Sequence, residues 1–117
     1  MSITHSDLSR FTGTEHHYRH ALMRSVLYSD GAKYLADEAG AHWLLDKVAT
    51  LQLDPKVRAE EFQVWKLRVG EGNTATLACE DGNDNVVHSE KIGFTDFPLD
   101  GVDLYFANNV IHLPSEY

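Results

Sequence analysis

The apolar pattern of this chain changes period once, at Asp54-Pro55, and that switch limits the fold more than any other feature. Before it, apolar residues recur every three or four positions, as on one face of a helix; after it, they alternate, as on a half-buried strand. Helices followed by strands predict an α+β fold: two or three N-terminal helices packed on one face of a four- to five-stranded antiparallel β-meander. The 117 residues fit a single domain, with a flexible terminus over 1–10, a helical part over 11–53 and the antiparallel sheet over 61–113.

The first helix is expected to start in "FTGTE", where Thr12 and Glu15 have the spacing of a capping box, and to bury Tyr18, Leu22 and Val26. "SDG" (Ser29 to Gly31) is a turn suited to cap a second helix carrying Ala32, Leu35, Ala36 and Ala39. Gly40 interrupts it, and Ala41, Leu44, Leu45, Val48 and Leu51 resume the apolar face until Asp54-Pro55 stops the helix. In "EFQVWKLRV", Trp65, Leu67 and Val69 fall on one face of a strand and Lys66 and Arg68 on the other. Further strands are expected in Ala75–Cys79, "VVHSEKI", "VDLYF" and "VIHL", with Asn108-Asn109 as a tight hairpin.

Charge is unevenly spread. Residues 1 to 68 hold nine acidic and nine basic side chains, whereas residues 69 to 117 hold nine acids against one base, Lys91, which accounts for the net charge of −8. Such a chain lacks the basic footprint of a nucleic-acid binder. A protein with a basic surface is the partner this charge suits, met through Glu80, Asp81, Asp84, Glu90, Asp96, Asp100 and Asp103. The plainer reading is that these acids keep a small sheet soluble and guard its edges. The one cysteine, Cys79, leaves no intrachain disulfide and fits a reducing compartment. No apolar run reaches the length of a membrane span, and "MSITHSDLSRFTG" has no leader-like apolar stretch, so a cytoplasmic location is expected.

Chemistry is suggested most by "TEHHYRH", with His16, His17 and His20 on one helix. Two imidazoles at helical spacing can hold zinc, but they need a third ligand, and no "HExxH" or cysteine pair supplies one, so neither a metal nor another cofactor is expected. As general bases they lack a nucleophile: Ser25 and Ser29 are nearby, yet no "GxSxG" elbow accompanies them. Cys79, flanked by Ala78 and Glu80 in a strand, reads as a small core residue, because a neighbouring carboxylate raises a thiol's pKa. "EDGNDN" offers oxygen donors, but a calcium loop counted from Asp81 would place Val86 where its glycine belongs and Ile92 where its glutamate belongs; a hairpin turn is expected. In "FTDFPLD", Phe94 and Phe97 read as plugs pinning a connection to the core.

The runs "FTGTE", "HHYRH", "YSDG", "KYLADEAGAHWLLD", "FQVWKL", "CEDGN", "TDFPLD" and "LPSEY" together resemble a family of small uncharacterised proteins, a domain of unknown function. The resemblance covers nearly the whole chain and implies a bacterial, phage, plasmid or other mobile-element setting. It carries over no catalytic residues. Its pattern near the histidines is closer to "TEQYYRH" or "TEHYYRH", so His16 and His17 depart from it or vary within it while Tyr18, Arg19 and His20 match. Those three are expected to form a buried polar cluster, with Arg19 paired to an acid such as Asp30. The resemblance and the charge together suggest a non-enzymatic, anti-CRISPR-like inhibitor that docks on a host nucleic-acid-handling or defence complex. The alternatives are a small metal-binding or hydrolytic protein using the three histidines, and a self-associating module that forms a homodimer through an open sheet edge.

Overall fold

The alternation that begins at Phe62 runs as a strand through Val69, and the architecture is built outward from it. The structure is a computed structural model that describes residues 3–12 and 16–117. In chain order these form α1 (His5–Ser9), β1 (His17–Arg19), β2 (Leu27–Ser29), α2 (Asp30–Glu38), α3 (His42–Thr50), α4 (Pro55–Arg58), β3 (Phe62–Val69), β4 (Ala75–Glu80), β5 (Val86–Ile92), β6 (Gly101–Ala107) and β7 (Val110–His112). The fold is α+β, with four α-helices and a seven-stranded sheet among the described residues.

The sheet order is β1-β2-β7-β6-β3-β4-β5. Five strands lie where alternation and turn residues place them. Asn108 and Asn109 take left-handed torsions (φ 54° and 62°) in the β6–β7 turn, as a primed hairpin turn requires. The sheet is mixed, not an antiparallel meander of four or five strands: β2 runs parallel to β7, and the β1–β2 hairpin extends the sheet beyond it. Nor do β5 and β6 adjoin. The segment between them passes β4 and β3, held by the Thr95 amide on the Asn73 carbonyl (2.7 Å) and the Val69 amide on the Asp100 carbonyl (2.9 Å). At Gly101, where β6 begins, a Cβ would lie 2.3 Å from the Leu67 carbonyl oxygen, so only glycine fits.

The expected first helix is not there. His17–Arg19 and Leu27–Ser29 are strands, because β7 offers their backbone a ladder that local helical spacing cannot outweigh: the Leu27 amide bonds the Asn109 carbonyl at 2.8 Å. Glu15, the far half of the expected capping box, lies outside the described residues. Residues 1–10, expected to be flexible, instead contain α1, which is capped reciprocally by Thr4 and Asp7 and buries Leu8; Ile3, just before it, is buried too. Downstream the helices follow the sequence. Ser29 caps α2, and Gly40 (φ 63°) ends it in a left-handed turn. Pro55, expected only as a stop, starts α4 at its first position with Asp54 as cap.

One face of the sheet is covered. Trp65, Leu67, Leu77, Leu104 and Ile111 are nearly inaccessible and form one core with Leu35, Leu44, Leu45, Val48 and Val57 of the helices. A buried amide network sits at its end. Gln63 and Gln52 bond each other reciprocally (2.8 and 2.9 Å), and the Trp65 indole donates to Gln63 Oε1 at 2.9 Å. Gln63 Nε2 also donates to the Val57 carbonyl at 2.8 Å, which ties α4 to β3. From the opposite face, away from the core that α2, α3 and α4 build, project Lys66, Arg68, Glu80, Asp103 and Tyr105.

Candidate functional site

The histidine-rich stretch does not converge. In β1, side chains alternate, so His17 and Arg19 point to solvent while Tyr18 turns toward α2. His20 is 5% exposed, and both of its ring nitrogens are used. Nδ1 accepts the Leu22 and Met23 amides (3.2 and 3.0 Å), which puts the proton on Nε2, and Nε2 donates to Asp46 of α3 at 2.7 Å. An imidazole so engaged pins the β1–β2 loop to α3 and has no lone pair left for a metal or a substrate proton. Among the described residues, no three His, Cys, Asp or Glu side chains converge to hold an ion. Of the expected polar cluster, Tyr18 and Asp30 do meet, at 3.0 Å, and that bond raises the Tyr18 phenol above its usual range. Arg19 is not paired to Asp30; it donates to the Arg24 carbonyl.

Two sequence runs that lie far apart meet at the start of α2. Glu116, in the terminal "LPSEY", places its carboxylate over the "SDG" turn. Oε1 accepts from Ser29 Oγ (2.6 Å) and from the Leu113 amide (2.9 Å), and Oε2 accepts from the Gly31 amide (3.1 Å). The amides at a helix start lack internal partners and carry partial positive charge, which is why a carboxylate settles there. Ser29 is fully buried and its hydroxyl also accepts the Ala32 amide, so it is a cap and no nucleophile.

This lock brings the last residue back onto the uncovered sheet face. Tyr117 stacks on His112 (centroids 5.3 Å, planes 9° apart) and lies against Phe62 and Tyr105 at 5.2 and 5.5 Å. Phe62 and Tyr105 meet edge to face at 5.0 Å. Tyr117 remains 73% exposed. Four rings from β3, β6, β7 and the terminus thus form an aromatic patch, with Tyr117 exposed, Phe62 and Tyr105 half-buried and His112 buried. Burial holds the His112 imidazole below its usual range. Beside the patch stand the Lys66–Glu80 pair (3.1 Å) and the Arg68–Asp103 pair (2.7 Å). Sequence reading missed this patch, since Phe62, Tyr105, His112 and Tyr117 sit on four separate segments; the signal available was that Phe62 shares parity with Lys66 in β3 and Tyr105 with Asp103 in β6.

The seven candidate acids are dispersed. Glu80 and Asp103 lie on the uncovered face, each paired to a cation. Glu90 lies on the opposite face, 3.1 Å from Lys47 of α3. Asp81 and Asp84 occupy the β4–β5 turn at one end of the sheet, while Asp96 and Asp100 sit in the β5–β6 connection at the other. Asp81 folds its turn by accepting the Asn83 and Asn85 amides (2.8 and 3.0 Å), and those bonds, that from Asn85 foremost, lower its pKa. Asp100 is lowered by its bond to His5 (2.9 Å), which with Arg68 and Asp103 borders a groove of about 490 Å³ between α1 and the C-terminal segment. Of the two expected plugs, Phe97 is buried and Phe94 is 69% exposed. Burial foremost, then the charges of Glu60, Glu80 and Asp81, pushes the Cys79 thiol up to about 12, so it is inert.

A family model of unknown function, DUF6876, matches residues 2–117. The chain belongs to that family. The DUF6876 match spans α1, the lock and the aromatic patch alike, so all of these lie within what the family model covers. No curated protein and no solved structure matches the chain. No helix of the described residues is long and apolar enough to cross a membrane.

Proposed function

We propose that this DUF6876 chain is a non-enzymatic binding protein that docks a protein partner on the uncovered face of its sheet, around Phe62, Tyr105 and Tyr117. The observation that carries this reading is an aromatic cluster on the sheet face turned away from the core of α2, α3 and α4, its outermost ring 73% exposed. Large rings with a polar tip are the residues that anchor interfaces, because they desolvate much area for little lost side-chain freedom. The acidic turn lies beside Phe62: a Cβ at Gly82 would be 3.5 Å from its ring, and Asp81 precedes that glycine while Asp84 follows it by two residues. A partner with apolar pockets and a basic rim fits such a surface, and the mobile-element setting implied by the sequence runs makes a host nucleic-acid-handling or defence complex the class to search.

The test is affinity capture from a bacterial host lysate with the wild type and with Tyr117→Ala and Phe62→Ser. A captured partner, once identified and purified, should bind each variant at least about tenfold more weakly, the loss expected of an interface anchor. It should also bind the wild type less well as salt rises. Retention by both variants at wild-type strength overturns the assignment of this face.

A further inference from the structure

The sheet has two outer strands, and they are unlike. β1 has three residues and two exposed charged or polar side chains; β5 has seven residues. A seven-residue outer strand presents a row of backbone donors and acceptors that folded proteins cover, blunt or pair. β5 is blunted at one end only, by a bulge opposite Cys79 and Glu80. Its middle holds an unresolved polar group: His88 Nε2 is buried without a hydrogen-bond partner, and the nearest acid oxygen, on Glu90, is 4.0 Å away. His88 and Glu90 lie opposite Cys79 and Leu77, on the helix-covered face, where Lys47 of α3 is bound to Glu90 and α4, carrying Lys56 and Arg58, also packs against β5.

We infer that two copies of this chain pair antiparallel through β5, about a two-fold axis at Ser89. Two identical strand edges can be related antiparallel only by an axis perpendicular to the sheet, which keeps both helical layers on the same side. Residues facing each other then share a face, so the axis passes through a residue. Centred on Glu90, it would set two carboxylates opposite each other, a destabilising pair. Centred on His88, it would face imidazole with imidazole, leaving that group without an acceptor. Centred on Ser89, it places each His88 opposite Glu90 of the partner subunit, twice by symmetry, and Val87 against the alkyl stem of Lys91 of the partner subunit. Of these registers, only that one gives the unsatisfied Nε2 of the half-buried His88 an acceptor. The edge used is distinct from the aromatic face, so the pairing is independent of the proposed docking function.

Cysteine cross-linking tests the register. Ser89 and Lys91 are exposed, so Ser89→Cys and Lys91→Cys leave the fold intact, and buried Cys79 adds no background. Across an antiparallel pair, facing Cα atoms are about 4.5–5.5 Å apart, within disulfide reach. The two Lys91 positions would be about 14 Å apart, beyond it. Under mild oxidation S89C is expected to form a covalent dimer and K91C at least about tenfold less of it. Sedimentation of the wild type is expected to show twice the 13.2 kDa protomer mass. No covalent dimer from S89C, or equal cross-linking by K91C, overturns the proposal.

Discussion

Replacing Glu116 with alanine should unfold the start of α2 from a distance of more than eighty residues in sequence. The carboxylate takes three hydrogen bonds, from Ser29 Oγ and from the Gly31 and Leu113 amides. A hydrogen bond to a charged group contributes about 1.5–3 kcal/mol net, and three that share one carboxylate are not additive. Ser29 is fully buried, so its hydroxyl loses a partner that water does not readily replace. Water can reach the half-buried carboxylate position itself, which lowers the total. The expected loss for Glu116→Ala is about 2–4 kcal/mol, or a fall of about 1–2 M in the urea midpoint at an m-value near 2 kcal/mol/M. Glu116→Gln keeps one acceptor oxygen and should lose roughly half as much.

Gly31 supplies the second arm of the experiment. A Cβ there would lie 2.4 Å from Glu116 Oε1 and 2.7 Å from Leu113 Cδ1. Gly→Ala inside a helix ordinarily stabilises by up to about 1 kcal/mol. Here it should destabilise by about 1–3 kcal/mol, the range for overpacking. Because part of that cost is the displaced carboxylate, Gly31→Ala should cost less in the Glu116→Ala background, with a coupling of at least about 0.5 kcal/mol. Urea unfolding followed through the buried Trp65 reads all four corners of the cycle. The lock is refuted by a Glu116→Ala protein within about 0.5 kcal/mol of wild type, or by a stabilising Gly31→Ala.

Gln63→Leu should cost about 3 kcal/mol, since it strips the Trp65 indole, Gln52 and the Val57 carbonyl of partners in a buried site; a urea midpoint near wild type would show the network to be dispensable. His112 is held below its unfolded value of about 6.5 by burial, so the unfolded chain takes up its proton first and stability falls as pH drops through and below 6.5. His112→Phe should flatten the dependence of the urea midpoint between about pH 7 and 5, and an unchanged slope would remove His112 as its source. The lowered Asp37, Asp81 and Asp100 act in a separate window, keeping their contribution until pH falls below 3.8. Cys79, raised to about 12, should resist iodoacetamide at pH 8 in the native protein and react once urea unfolds it.

The strands that could be read from sequence are those whose pattern and turns are local. β3 and β4 alternate cleanly, β5 does so past its bulge, and Asn108-Asn109 needs only its own torsions to turn the chain. What sequence misreads is order, because order depends on distant partners. Tyr18, Leu22 and Val26 have helical spacing, yet Leu22 is 75% exposed while Tyr18 packs on Tyr28 across a hairpin. Nothing within those residues announces β7, more than eighty positions on, as the edge that recruits them. Likewise Glu116 looks like one surface acid among nine until the fold lays it on the Gly31 amide.

The same dependence decides where function is to be sought. A surplus of acids in the β half of the sequence implies one anionic surface only if the strands present them together. Alternation and the crossing connection instead send Glu90 beneath α3 and separate Asp81 and Asp84 from Asp96 and Asp100 by the length of the sheet. Cations neutralise Glu80 and Asp103 in place. What the fold does gather is Phe62, Tyr105, His112 and Tyr117, and it does so through the Glu116 lock, since the carboxylate that caps α2 sets the position of the residue that follows it. Breaking the lock should therefore release Tyr117 from His112 and weaken partner binding even where the rest of the sheet stays folded. That outcome would link the stability of one helix start to the proposed docking surface on the far side of the sheet, and a Glu116→Gln protein that is destabilised yet binds its partner at wild-type strength would break the link.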